Sequence, residues 1–272
     1  FQKETTFDML TDPKIEGLPH HISKDAPLPL LKQAAIYGAN GAGKSNLIKA
    51  FVFLKNWVTN PKCLEEIEVC YYSFRMTDED TKPPICLEIE FLSHQKAYLY
   101  KVAISEESIE ESLYFSGLGK SADTLIFERK DSKLIKHSLL NESAINELLT
   151  ANKKASLLTL HQGLGASYNP ELKSAYEWFE QQLCIVKYPS DNLQLAKQLT
   201  SDEKLFDFVE DIIQSCDLDI DGIEREENSD ELLFLQYGPE DSLGYIDIEE
   251  QSEGTIQLLR LLPVLYQAQQ SE

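Results

Sequence analysis

Eight residues constrain this chain more than any others. Gly38-Ala39-Asn40-Gly41-Ala42-Gly43-Lys44-Ser45 fits the pattern G-x-x-x-x-G-K-[ST]. It lies between an apolar run, QAAIYG, and a stretch where Leu47, Ile48, Phe51, Leu54 and Val58 recur at helical spacing. The spacing predicts a short buried strand, a bend and a helix that ends at Asn60-Pro61. Glycines let such a bend turn several backbone N–H groups into one concavity. The helix then presents the positive end of its dipole to the same spot. A lysine ammonium and a serine hydroxyl complete a receptor for phosphate oxygens and their metal ion. The expectation is a nucleoside triphosphate lined by Gly38, Asn40, Gly41, Ala42, Gly43, Lys44, Ser45 and Asn46. Lys44 would reach the β- and γ-phosphates as the catalytic residue, and the Ser45 hydroxyl would help hold Mg²⁺. A plain glycine-rich turn before an ordinary helix leaves Lys44-Ser45 unexplained.

Elsewhere the pattern alternates between classes. Residues 1–10, FQKETTFDML, alternate enough to predict an opening strand, followed by a loop with Pro13, Pro27 and Pro29. From 65 to 137 the chain turns β-rich. IEVCYYSF, ICLEIEFL, KAYLYKVAI, IEESLYF and TLIFER are short, β-branched or aromatic, and separated by turn residues such as Lys82-Pro83-Pro84. Cys86, Glu88 and Glu90 alternate with Leu87, Ile89 and Phe91, as in an antiparallel sheet with one wet face. Residues 141–183 read as helical, with LKSAYEWFEQQL the strongest segment. SDEKLFDFVEDIIQSC is a second amphipathic helix, with Ser201 the expected N-cap and Asp202 and Glu203 suiting its first turn. DGIEREE, ELLFLQY and LGYIDIE alternate as strands. SEGTIQLLRLLPVLYQA closes as a helix expected to kink at Pro263. The organisation expected is a P-loop half (1–64), an antiparallel β subdomain (65–140), a helical region (141–216), and returning strands with a final helix (217–272).

Composition narrows the partners. The chain of 272 residues carries a net charge of −21. Residues 201–253 hold 19 Asp and Glu against 2 Lys and Arg, so that segment alone accounts for −17. Such a field disfavours nucleic acid. It is either a solvated face or a docking surface for a basic protein. Five cysteines without CxxC spacing read as reduced thiols of a cytoplasmic protein, not as a zinc site. The tandem His20-His21 reads as a pair of exposed loop histidines. No apolar run of transmembrane length is present.

A resemblance gathers these readings. NGAGKSN, with Asn40-Gly41 before the lysine and Asn46 after the serine, resembles the ABC-type heads of the SMC, RecF and OLD proteins. Four stretches are similar to AAA-annotated ATPases of bacterial phage-defence systems, among them the PARIS ATPase AriA and PtuA of Septu and some retrons. They are LLKQAAIYGANGAGKSNLIKAFVFLKNWV, ICLEIEFLSHQKAYLYKVAISEESIEESLYF, CDLDIDGIERE and EEQSEGTIQLLRLLP. The resemblance implies an α/β P-loop NTPase of ABC-ATPase type, with an antiparallel β subdomain and a helical insertion. It implies ATP and Mg²⁺ as ligands. The protein would work as a head-to-tail dimer or larger homo-oligomer and control a nuclease-like effector. The last stretch would be a degenerate ABC signature, with Ser252 and Gly254 facing the γ-phosphate held by the opposite subunit. Glu253 is a poor neighbour for phosphate unless it points away, and an ordinary N-cap is the competing reading of Ser252.

One part of that machine is not legible. ABC-type hydrolysis needs a Walker B strand, four apolar residues ending in Asp-Glu, some tens of residues after the signature helix. LFDFVED (205–211) has helical spacing, and CLEIE (86–90) belongs to the β block. The expectation is that the hydrolytic acid lies beyond Glu272, in a longer protein. Gln95 sits in the β block without the surroundings of a Q-loop glutamine. Two alternatives share the fold: a RecF- or SMC-like DNA-repair ATPase, which the charge opposes, and a nucleotide-gated scaffold with little hydrolysis. A small-molecule kinase fits poorly, because no acceptor-site pattern is present.

Overall fold

The computed structural model describes residues 4–12, 19–23, 27–39, 41–66, 84–167, 169–185, 191–216, 219–225, 232–237 and 242–270. The chain divides into two units, Phe1–Ile185 and Val186–Glu272. Each has its own apolar core.

The first unit opens irregularly. Residues 4–9 form no strand, contrary to the expectation for 1–10. Their ladder is reduced to one antiparallel bridge, Leu10 to Leu30, beside β1 (Ile22–Ser23) and β2 (Leu30–Leu31). Residues 33–39 correct a second expectation. The apolar QAAIYG has no ladder partner among the described residues and lies exposed, Tyr37 at 90%. A strand needs a second backbone to accept its N–H and C=O groups, and apolar side chains do not supply one.

Helix α1 (Lys44–Thr59) follows directly and stops at Asn60. Asn60 is extended, with φ −114° and ψ 111°, as a residue before proline must be. After α2 (Cys63–Glu66), the expected strand at 67–74 lies outside the described residues. Then comes a meander of five antiparallel strands: β3 (Ile85–Ser93), β4 (Lys96–Ile104), β5 (Ile109–Phe115), β6 (Thr124–Lys130) and β7 (Lys133–His137). They lie in sequence order. Period-2 alternation decides which face is covered. Leu87, Ile89 and Phe91 pair across to Val102, Tyr100 and Tyr98, and that face enters the core. Cys86, Glu88 and Glu90 face outward and are exposed. Helices α3 (Glu142–Ala151), α4 (Leu157–Leu160) and α5 (Pro170–Glu177) follow, the last continuing into a π turn at Trp178–Gln182. Phe91 stacks on Trp178 with centroids 4.3 Å apart.

In the second unit, α6 (Asn192–Leu199) and α7 (Glu203–Ser215) precede a three-stranded antiparallel sheet. Its strands are β8 (Ile220–Arg225), β9 (Leu232–Tyr237) and β10 (Leu243–Asp247), with β9 in the middle. Helix α8 (Glu253–Gln270) runs on through Pro263. Leu205, Val209 and Ile213 of α7 share a buried cluster with Ile223, Phe234, Leu259 and Leu262. The cap of α7 is Asp202, not Ser201: its carboxylate accepts from the N–H groups of Lys204 and Leu205. Both residues suit a cap, and a carboxylate facing the dipole is the stronger acceptor. Among the described residues, no helix is long and apolar enough to cross a membrane.

Candidate nucleotide site

The bend before α1 is closed by its own lysine. Lys44 Nζ donates to the carbonyl oxygens of Gly38 and Ala39, at 2.7 and 2.8 Å. Ala42 N–H donates to Ala39 O at 3.2 Å, tightening the same loop. Two positions demand glycine. Gly41 has φ 80° and Gly43 has φ 91°, the left-handed region where a Cβ is strained. Gly38 makes no such demand, since an added Cβ would meet Ala42 Cβ at an ordinary 3.5 Å. Asn40 lies outside the described residues.

The start of α1 is electrostatically suited to an anion. Gly43 is its N-cap and supplies no side-chain bond, and the first turn holds no acidic residue. Most helices satisfy donors of that turn with a capping side chain, and Gly43 has none to offer. Asn46 N–H donates back to Gly43 O at 2.9 Å, and Ser45 and Asn46 are exposed. The structure therefore places Gly38, Gly41, Ala42, Gly43, Lys44, Ser45 and Asn46 in one bend and the helix start that follows it. Triphosphate oxygens suit this donor set: an ammonium bonded only to carbonyls of its own loop can exchange those bonds for stronger, charge-assisted ones to phosphate.

The other end of α1 is fixed. Trp57 Nε1 donates to Tyr100 Oη at 2.7 Å, and Tyr100 Oη donates to Glu111 at 2.7 Å. Glu111 also accepts from Ser156 Oγ, from Leu157 N–H and from Arg129 Nε, the last at 2.5 Å. Arg129 Nη1 donates to the Asp131 carbonyl and Nη2 to the Ala155 carbonyl. Glu111 and Arg129 are both 1% exposed, yet every charge has partners, which is what makes a buried ion pair tolerable. Burial and the Glu111 carboxylate push the Tyr100 hydroxyl well above its ordinary range, so it stays a donor. Lys55 adds bonds to the Glu180 and Leu183 carbonyls at 3.2 and 2.7 Å. Sequence reading missed this network. The signal was present: Glu111 falls between Ile109 and Leu113, and Arg129 two residues after Phe127, each on the apolar side of its strand.

The remaining predicted site residues lie in the second unit, at the start of α8. Ser252 caps that helix. Its Oγ accepts from Thr255 N–H at 3.1 Å and shares a hydrogen bond with Thr255 Oγ1 at 2.9 Å. Gly254 is exposed in the first turn. Glu253 is drawn along the helix: it accepts from Gln257 Nε2 at 2.6 Å and lies 3.7 Å from Arg260. Its carboxylate thus leans toward later turns. The sought acidic strand does not arise from 205–211, which lies within α7, or from 86–90, which lies in β3. Gln95 occupies the β3–β4 hairpin turn with φ 63°.

The family described as "AAA domain, putative AbiEii toxin, Type IV TA system" matches residues 34–272. No curated protein and no solved structure matches the chain.

Proposed function

The chain belongs to this AAA-domain family of P-loop ATPases, and on that premise we propose that it binds ATP with Mg²⁺, associates around the nucleotide and regulates a partner effector in anti-phage defence. The observation that carries the reading is the closed glycine bend with Lys44 at an uncapped helix start, inside the family's matched span. Backbone N–H groups of 41–46 and Lys44 would hold the β- and γ-phosphates. Ser45 would ligate Mg²⁺, which neutralises charge on the phosphate oxygens. ABC-type subunits pair head to tail, and the exposed start of α8, with Ser252 and Gly254, is the element offered to a second subunit's phosphate. The direction of Glu253 supports that role, since a carboxylate aimed at the anion would oppose it. The family's description names a TA system, and the resemblance to phage-defence ATPases points the same way, toward a protein that acts with a second protein.

The association is tested by sedimentation velocity with and without ATP and Mg²⁺. Wild type is expected to shift to a dimer or larger species with nucleotide, while Lys44→Ala stays unchanged. A Ser252→Trp chain that binds ATP normally yet fails to shift would place the start of α8 in the contact. An identical shift in Lys44→Ala would contradict the reading.

A further inference from the structure

The second unit carries a surface that nucleotide binding does not use. β9 sends Leu232 and Phe234 into the core, and Leu233 and Leu235 to the opposite face. Cross-strand partners share a face. Tyr245 stands opposite Leu235, Leu243 opposite Tyr237, and Asp247 opposite Leu233. Tyr237, Leu243 and Tyr245 are 50%, 52% and 55% exposed, so apolar area lies open across this face. The rings are tethered there. Tyr237 Oη donates to Asp221 at 3.1 Å, and Tyr245 Oη donates to Glu224 at 3.0 Å. A contiguous exposed apolar patch with a polar rim is the common sign of a docking surface.

The rim identifies the occupant. Asp221, Glu224 and Asp247 edge the patch, within a segment whose net charge is −17. A second copy placed face to face would set these carboxylates against their own kind. Nucleic acid meets the same repulsion, without a compensating base. A polypeptide carrying both apolar and basic side chains satisfies the whole surface: the apolar groups cover Leu233, Leu235 and the tyrosine rings, and the cations meet the rim or the ring faces.

We propose that the open face of the β8–β9–β10 sheet docks a basic amphipathic segment of a partner protein. This deepens the reading of a regulated effector by naming the surface and the chemistry of its counterpart, and it rests on that reading for the partner's role alone.

The test uses the full chain and a fluorescein-labelled peptide of two Leu-Lys-Lys-Leu-Leu-Lys-Leu repeats, with glutamate replacing lysine in the control. The lysine peptide is expected to bind, and the glutamate peptide not to. Tyr237→Ser/Tyr245→Ser should weaken binding about tenfold or more, as loss of aromatic anchors does. Leu243→Ser, a milder change on the same face, should weaken it in the same direction. Asp207→Asn/Asp211→Asn removes two exposed carboxylates from α7, whose buried side chains share the core on the sheet's other side. It should change affinity less than about twofold if the face, not bulk charge, binds. Equal losses in the face and α7 variants, equal binding of both peptides, or a wild-type dimer abolished by Tyr245→Ser would each overturn the proposal. ATP binding measured in the same preparations separates this failure from failure of the nucleotide reading.

Discussion

The first turn of α1 is uncapped, free of acidic residues and largely exposed, whereas its last turns are buried and tied to β4, α4 and the π turn. At the open end, Ile48 is 52% exposed and Lys44 bonds to carbonyls of the loop leading into the helix. At the other, Trp57 and Val58 are fully buried, and Thr159 Oγ1 donates to the Val58 carbonyl at 2.6 Å. One helix thus separates two tasks. Anchoring is done where apolar area and buried bonds are available, and the exposed end has no capping side chain. The lesson is that stability and binding should respond to different substitutions along one element.

The largest expected effect sharpens the anchored end. Arg129→Met leaves Glu111 charged and buried, and should destabilise the first unit by about 3 to 5 kcal/mol. The double variant Glu111→Leu/Arg129→Met should recover most of that loss, because no orphan charge remains. Urea unfolding followed by tryptophan fluorescence reads this directly, since both tryptophans, Trp57 and Trp178, lie in the first unit. A double variant as unstable as the single one would break the account of the network.

Next comes the open end. Gly43→Ala places a Cβ at φ 91°, which costs roughly 1 to 2 kcal/mol. The exposed bend relaxes when empty and must readopt that shape to bind, so ATP affinity should drop about tenfold while stability falls by no more than the same roughly 1 to 2 kcal/mol. A large midpoint shift with unchanged affinity would reverse the roles assigned to the two ends.

The start of α8 supplies a contrast. Ser252 already satisfies its own helix, so Ser252→Ala should destabilise the second unit by about 1 kcal/mol. ATP binding to the single chain should be unaffected. Thermal circular dichroism and calorimetric titration distinguish the two.

The smallest effect concerns pH. Burial, with a further push from the Glu66 carboxylate, raises the Cys63 thiol from 9.0 to about 11. The folded chain holds that proton more tightly than the unfolded chain does. The resulting stability is complete below pH 9 and is lost as pH rises toward about 11. Iodoacetamide at pH 8 should therefore modify exposed Cys86, Cys184 and Cys216 and spare Cys63. Rapid labelling of Cys63 would show that the anchored end opens.

Which parts were legible follows from how local their causes are. The strands from 85 to 130 and the helices at 203–215 and 253–270 were readable because alternation or helical spacing is written into each segment. β7 was not, because KLIKH has five residues, three of them Lys or His, and becomes a strand only by pairing with β6. The expected strand at 33–38 is absent for the converse reason: apolar residues are present, and among the described residues a ladder partner is not. Charged residues in strands read as outward, so Glu111 and Arg129 escaped notice. The bend at Gly41 and Gly43 and the helix start at Lys44 were legible because glycines and helical spacing are local signals, whereas the tethered tyrosines of the second sheet depend on a register that only folding reveals.

The central claim, a phosphate grip at the open end of α1, is tested most directly by isothermal titration of ATP and Mg²⁺ into the wild-type chain and into Lys44→Ala with a matched urea midpoint. The expected result is saturable binding by wild type and a loss of about a hundredfold or more in the variant, or roughly 2.7 kcal/mol. Equal affinity in the two proteins would contradict it.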